Sequence, residues 1–252
     1  MPNDRYWHIK RPHGGNFTPD EDLRYASIMT SSGCPFKCTY CHIAHEIPGS
    51  ISGEIGRFRI KSDERVLSEL RYLKDVLKVK QVYIEDDSIF GKKKRAINLL
   101  KKVMEMGLRI LNVNGVNLIH LVHNDGSPDL ELLDLLKNTG FEEIILPFES
   151  PHKRLIKQYA TNKWNPDTLD VEALIKACKS KNIRIVGNYM IGFPSETLEE
   201  VKATISFAKQ CRAWGLDYAC FFCVMPLPGT PLFDECIEKK LLPKDYDIDR
   251  MN

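Results

Sequence analysis

The sequence predicts an α/β fold, a partial (β/α)6 TIM-like barrel with parallel strands. Three observations predict it. Six short β-branched and aromatic stretches alternate with amphipathic helical patterns, the order that produces a parallel sheet. Unusual polar, glycine and proline residues fall just after each strand, the end at which barrels carry their sites. A chain of 252 residues is long enough for one such domain with a full core.

The elements follow in order. "YASIMT" (25–30) reads as the first strand and leads into a cysteine-rich loop. "SDERVLSELRYLKDVLK" (62–78) is helical, with Val66, Leu67, Leu70, Leu73 and Leu77 on one face. "QVYIED" is the second strand. A helix over 92–106 stops at Gly107, and "RILNVN" is the third strand. "DLELLDLLKNTG" is a short helix closed by Gly140, and "EEIILPF" is the fourth strand. A helix over about 167–181 precedes the fifth strand, "RIVGNYMIG". Thr197 and Glu200 have capping-box spacing at the start of the next helix, and "LDYACFFCVM" is the sixth strand. Residues 1–24 read as an irregular lead-in, 25–238 as the barrel and 239–252 as a tail.

Composition excludes several classes. The net charge of +2 leaves no strong nucleic-acid signal, and the basic run Lys92–Arg95 opens a helix whose solvated face it would form. No apolar stretch approaches the roughly 20 residues needed to span a bilayer, so no membrane partner is expected. The first residues lack a signal-peptide core, which points to the cytoplasm. Thiols stay reduced there, so eight cysteines suggest metal or redox chemistry.

Cys34, Cys38 and Cys41 sit within the stretch "GCPFKCTYCH". A disulfide staple fits poorly with a reducing compartment. "CTYCH" matches a haem-attachment pattern, but that leaves Cys34 unexplained. Zinc needs a fourth ligand, for which His42 or His45 are candidates, and the second half of a zinc motif is absent. Three thiolates on a 4Fe-4S cluster leave one iron without a protein ligand, open to a small molecule.

"CPFKCTYC" resembles the Cys-x3-Cys-x2-Cys motif of the radical S-adenosylmethionine (radical SAM) superfamily. "GNYMIGFPSET" (187–197), "PFES" (147–150) and "MPLPGTPLF" (225–233) are similar to the ends of that family's fifth, fourth and sixth strands. The resemblance covers about residues 25–236 and is nearest the branch often joined to a cobalamin-binding domain, which includes methyltransferases.

The resemblance implies a 4Fe-4S cluster on Cys34, Cys38 and Cys41, and S-adenosylmethionine (SAM) on the open iron. It implies an electron donor of flavodoxin or ferredoxin type, and reductive cleavage of SAM to a 5′-deoxyadenosyl radical that activates a substrate. Methyl or methylthio transfer is the alternative within the family. An iron–sulfur electron carrier or redox sensor without SAM chemistry is the alternative outside it.

Tyr40 is expected near the adenine, Gly192 and Pro194 beside the nucleoside, and Glu149 as a polar contact to SAM. "EDDSIF" stands where many members carry Gly-Gly-Glu, so Glu85, Asp86 and Asp87 are candidates for that contact. Asn112 and Asn114, two apart, are expected to line the lumen together, with Asn188 as a weaker third. Cys220 and Cys223, three apart on a strand, are expected on opposite faces, both packed in the core. Cobalamin is not expected to bind this chain alone. A cobalamin- or substrate-binding domain would have to lie elsewhere.

Overall fold

A computed structural model describes residues 24–47, 49–50, 53–161, 163–243 and 246; residues 1–23 of the lead-in and most of the expected tail lie outside them. The strands are β1 (Tyr25–Ile28), β2 (Ser31–Ser32), β3 (Arg59–Ile60), β4 (Gln81–Ile84), β5 (Arg109–Asn112), β6 (Glu143–Glu149), β7 (Arg184–Ile191) and β8 (Tyr218–Cys223). β1, β4 and β5 make one parallel sheet, and β6, β7 and β8 another, each in chain order. β2 and β3 form a short antiparallel pair beside the cysteine loop.

The expected barrel is therefore two half-sheets, and no closed barrel is present among the described residues. The Ile145 carbonyl of β6 accepts the Val116 amide at 2.8 Å, four residues past the end of β5, so the two half-sheets meet through the loop after β5.

The helices are α1 (Asp63–Asp75), α2 (Lys93–Glu105), α3 (Leu130–Thr139), α4 (Lys153–Tyr159), α5 (Val171–Ser180), α6 (Leu198–Trp214) and α7 (Pro231–Glu238). Ser62, Asp129, Asp170, Thr197 and Thr230 each accept a backbone N–H of the first turn they cap. The Thr197–Glu200 capping box is complete. α5 begins at Val171 rather than near 167, because Asn165 folds the preceding residues into a turn capped by its own side chain. α4 and α7 are additions to the expected elements; Pro231 stands in the first turn of α7.

Side-chain parity separates two faces. Val82, Ile84, Ile110, Ile144, Leu146, Phe148, Ile185 and Tyr189 pack into the core against Leu70, Leu100, Leu133, Leu136, Leu174 and Ile175 of the helices. The opposite parity of β6 and β7, including Ile145, Pro147, Val186, Asn188 and Met190, is only partly buried and forms the inner face. The register places Cys220 beside Asn188 and Cys223 beside Ile191, on opposite faces. Core packing fails for both: Cys220 is half-buried beside Asn188 of the inner face, and Cys223 is exposed at the end of the edge strand β8.

Two glycines seat the cysteine loop. A Cβ at Gly33, whose φ is +74°, would lie 2.5 Å from the Gly56 and Arg57 carbonyl oxygens. A Cβ at Gly56 would lie 1.7 Å from the Ile43 carbonyl oxygen. Gly56→Ala must therefore push backbone apart. Overpacking of this kind costs about 2 kcal/mol, or roughly 4–8 °C in unfolding midpoint for a chain of this size. Calorimetry checks this, and an unchanged midpoint would show that the loop has room to move.

Candidate functional site

The cysteine loop leaves β1 through a buried polar clamp. Asp86 Oδ1 accepts the Thr30 amide at 2.6 Å; Oδ2 accepts the Thr30 and Ser31 hydroxyls at 2.7 and 2.6 Å. Arg95 braces the clamp, donating to Thr30 Oγ1 at 2.9 Å, to Asp63 Oδ1 and to the Lys61 carbonyl. This corrects the reading of the basic run as a solvated face: Arg95 is largely buried, and Lys93 pairs with Asp129 at 2.8 Å. Asp87 accepts the Gly33 amide at 2.9 Å, immediately before Cys34. Glu85 accepts the Ser27 hydroxyl at 2.9 Å. Both oxygens of Asp86 are thus engaged within the protein, and Asp87 holds the loop's entrance; these two are supports of the loop.

The loop itself is tied from three sides. The Cys34 amide donates to the Gly56 carbonyl, the Thr39 amide to the Tyr159 carbonyl at the end of α4, and the Leu232 amide of α7 to the Thr39 carbonyl. His45 Nε2 lies 3.1 Å from the Cys38 carbonyl, which can only accept, so this nitrogen carries the proton and His45 supports the backbone.

Cys38 is buried and Cys34 and Cys41 are half-buried. Burial pushes the Cys34 thiol up to about 11 and raises Cys38 as well. Such thiols become good ligands when a metal displaces their protons. Among the described residues, no three His, Cys, Asp or Glu side chains converge as a single metal ion requires.

Behind the loop, Tyr40 and Glu149, both expected from sequence beside SAM, meet Lys163, which the sequence did not disclose. Glu149 Oε1 accepts the Tyr40 hydroxyl at 2.8 Å and the Lys163 ammonium at 2.7 Å. The Lys163 ammonium also lies 5.8 Å from the centre of the Tyr40 ring. Glu149 is 5% exposed and has a left-handed backbone, φ +59°, at the bulge that ends β6. Non-glycine strain of this kind costs about 1–3 kcal/mol and persists where neighbours over-determine it. Burial, the largest influence, works against the Lys163 charge, but Glu149 together with the neighbouring thiols outweighs it and holds the ammonium above the usual lysine range.

The remaining candidates divide. Gly192 has φ +88°, and nothing lies within 4 Å of where its Cβ would be. Its amide and that of Phe193 donate to Glu196 Oε2, a residue of the fifth-strand motif not singled out from sequence. Pro194 follows on the same turn, and Phe193 stacks on Tyr159 at 4.5 Å. Asn188 lies on the inner face with Val186 and Met190.

Asn112 does not line the lumen with Asn114. It shares its face with Ile110 and registers with Ile84, both core residues, and its amide donates to the Asn114 carbonyl. Asn114 lies beyond the end of β5, where strand parity no longer applies; its amide donates to the Glu85 and Asp86 carbonyls at 3.2 and 3.0 Å.

A family model described as Radical SAM superfamily matches residues 28–208. The chain is 31% identical to an uncharacterized methyltransferase, PH0819, of Pyrococcus horikoshii over 88% of this chain and 44% of that protein. It is 27% identical to the cytidylyl-2-hydroxyethylphosphonate methyltransferase of Streptomyces wedmorensis over 90% of this chain and 40% of that one. The fold superposes on the radical S-adenosylmethionine methyltransferase TsrM of Kitasatospora setae, solved with cobalamin and a 4Fe-4S cluster. That match has a TM-score of 0.63 and 20% identity, and covers 86% of this chain and 37% of that one. The chain spans less than half the length of each of these proteins.

The support residues generate two predictions. Asp86→Asn replaces an acceptor oxygen with a donor facing donors, and should destabilise the protein by about 1–3 kcal/mol in urea unfolding. No loss would show that the clamp tolerates an amide. His120 lies against Phe36 of the cysteine loop, with Nε2 buried and unbonded, and burial lowers its pKa to about 4. The unfolded chain therefore binds a proton that the folded one refuses. Stability should be full above pH 6.5 and fall as pH drops from 6.5 toward 4. His120→Phe should flatten that limb of the stability–pH curve, and an unaltered limb would assign it to other groups.

Proposed function

The chain belongs to the radical SAM superfamily, and on that premise we propose that it cleaves SAM reductively at its cysteine loop as part of a methyl-transferring enzyme. It is an enzyme of a family that uses a 4Fe-4S cluster and SAM, with electrons from an external donor. The observation that carries the reading is the placement of Cys34, Cys38 and Cys41 on one braced loop at the C-terminal end of β1.

The residues fit the group. The loop offers three protonatable thiols, one buried and two half-buried, and sets Lys163 and Glu149 behind them. When bound, the cluster would supply the electron that breaks a sulfonium carbon–sulfur bond of SAM and leaves the 5′-deoxyadenosyl radical. Cys34, Cys38 and Cys41 would lose their protons and hold three irons. Glu149 and Tyr40 would stand beside the nucleoside, and Gly192 would keep the approach clear. The inner face around Val186, Asn188 and Met190 would keep water from a reactive intermediate. Methyl transfer as the reaction class is supported by the names of the similar proteins, and the SAM module is taken as residues 25–238.

Anaerobic reconstitution tests this. The wild type should retain about four irons per chain. With SAM and a strong reductant it should form 5′-deoxyadenosine. Each of Cys34→Ala, Cys38→Ala and Cys41→Ala should lose the cluster absorption and the SAM-derived products. Retention of both in the triple variant would refute the site.

A further inference from the structure

The cysteine loop is entered through β2, which pairs with β3: Ser31 stands opposite Ile60 and Ser32 opposite Arg59. Gly33 alone separates Ser32 from Cys34, and the Cys34 amide returns to the Gly56 carbonyl ahead of β3. An open groove of about 440 Å³ runs along this pair and the edge strand β1, with Met29, Ser32, Arg59, Ile60, Lys61 and Glu69 in its lining. Tyr40, Glu149 and Gly192, placed beside the nucleoside above, take no part in it.

Apolar side chains stand in water here. Met29 and Ile60 of the groove are 39% and 38% exposed, and Ile55, next to Gly56, is 53% exposed. Apolar groups gathered at one groove with a charged rim mark an interaction surface. The rim is cationic. Arg57, Arg59 and Lys61 recur at alternate positions through β3, and Lys37 is exposed within the cysteine loop itself. The carboxylates Glu54 and Glu69 are already paired, the first with Arg57 and the second with Lys61 and Arg65. Arg59 is exposed and has no ion-pair partner among the described residues. A small anion would meet one uncommitted cation in this groove. A protein surface would cover its apolar floor and its rim together.

We propose that this groove is the docking surface for an acidic, low-potential, one-electron carrier protein, which delivers its electron at the β2 end of the cysteine loop. The inference rests on the cluster reading above and gives the external donor a place on this chain. The carrier is oxidised by one electron and the cluster is reduced by it; no bond is made and no proton moves between them. With Cys38 buried, a carrier has to come as near the ligands as the surface allows, and a single residue joins the groove floor to Cys34. Opposite charge on the two surfaces steers the encounter, an effect that weakens as salt screens it.

The experiment is stopped-flow reduction of the reconstituted cluster without oxygen or SAM, with iron measured in every sample. Two reductants are compared: flavodoxin hydroquinone, an acidic protein carrier, and reduced methyl viologen, a small cation that needs no docking surface. The series is wild type, Arg59→Glu, Arg59→Gln, Met29→Asp and Lys209→Glu, the last making the same charge change as Arg59→Glu on the exposed side of α6. The wild-type rate with flavodoxin should fall as salt is raised. Arg59→Glu and Met29→Asp should each lower it at least about tenfold at low salt, with Arg59→Gln between. Lys209→Glu should match wild type with flavodoxin, and every variant should match it with methyl viologen. Should Arg59→Glu or Met29→Asp fail to take up iron, Arg59→Gln decides. Wild-type flavodoxin rates in the groove variants would overturn the proposal and leave the groove to a substrate or another segment of this chain. An equal fall in Lys209→Glu, or an equal fall with both reductants, would overturn it too. No iron in the wild type would instead overturn the cluster reading beneath it.

Discussion

The Asp86 carboxylate fixes the point at which the first strand stops being a strand. It accepts from the Thr30 amide and from the Thr30 and Ser31 hydroxyls within 2.7 Å, in a site closed to water. An unpaired carboxylate there would cost several kcal/mol, so three donors and the nearby Arg95 are conditions of its burial. The chain can then turn away from the sheet at Gly33, with its amide on Asp87, and deliver Cys34 at the C-terminal end of β1. Every later contact of the loop, with Gly56, Tyr159 and Leu232, depends on that starting point.

The same economy of polar groups shapes the other side of the loop. β6 ends in a bulge that puts Glu149 in a left-handed conformation and aims it at Tyr40 and Lys163. A strained carboxylate and a buried ammonium, each unfavourable alone, hold one another beside three thiols. The sheet contributes by its break. The two half-sheets leave the inner face of β7 partly open where Asn188 and Met190 stand.

Much of this was legible in the sequence. The six strands and most helices follow from periodicity, and the caps at Thr197 and Gly140 from single residues. The cysteine loop is legible because its three ligands are local in sequence. Lys163 is not, because its partners lie 14 and 123 residues away and no local pattern marks it. Asn112 misled because parity says which residues share a face, not which face is inward. Asn114 misled because parity requires knowing where the strand stops. Arg95 looked like one charge among four, and only the fold shows that it turns inward to Thr30.

The central claim is that the three thiols hold a cluster with one iron left open to SAM. The most direct measurement is Mössbauer spectroscopy of protein reconstituted with iron-57, before and after SAM is added. The account predicts that one iron of the four separates from the rest on addition of SAM, as its coordination changes. Four irons whose parameters stay unchanged with SAM present would contradict it.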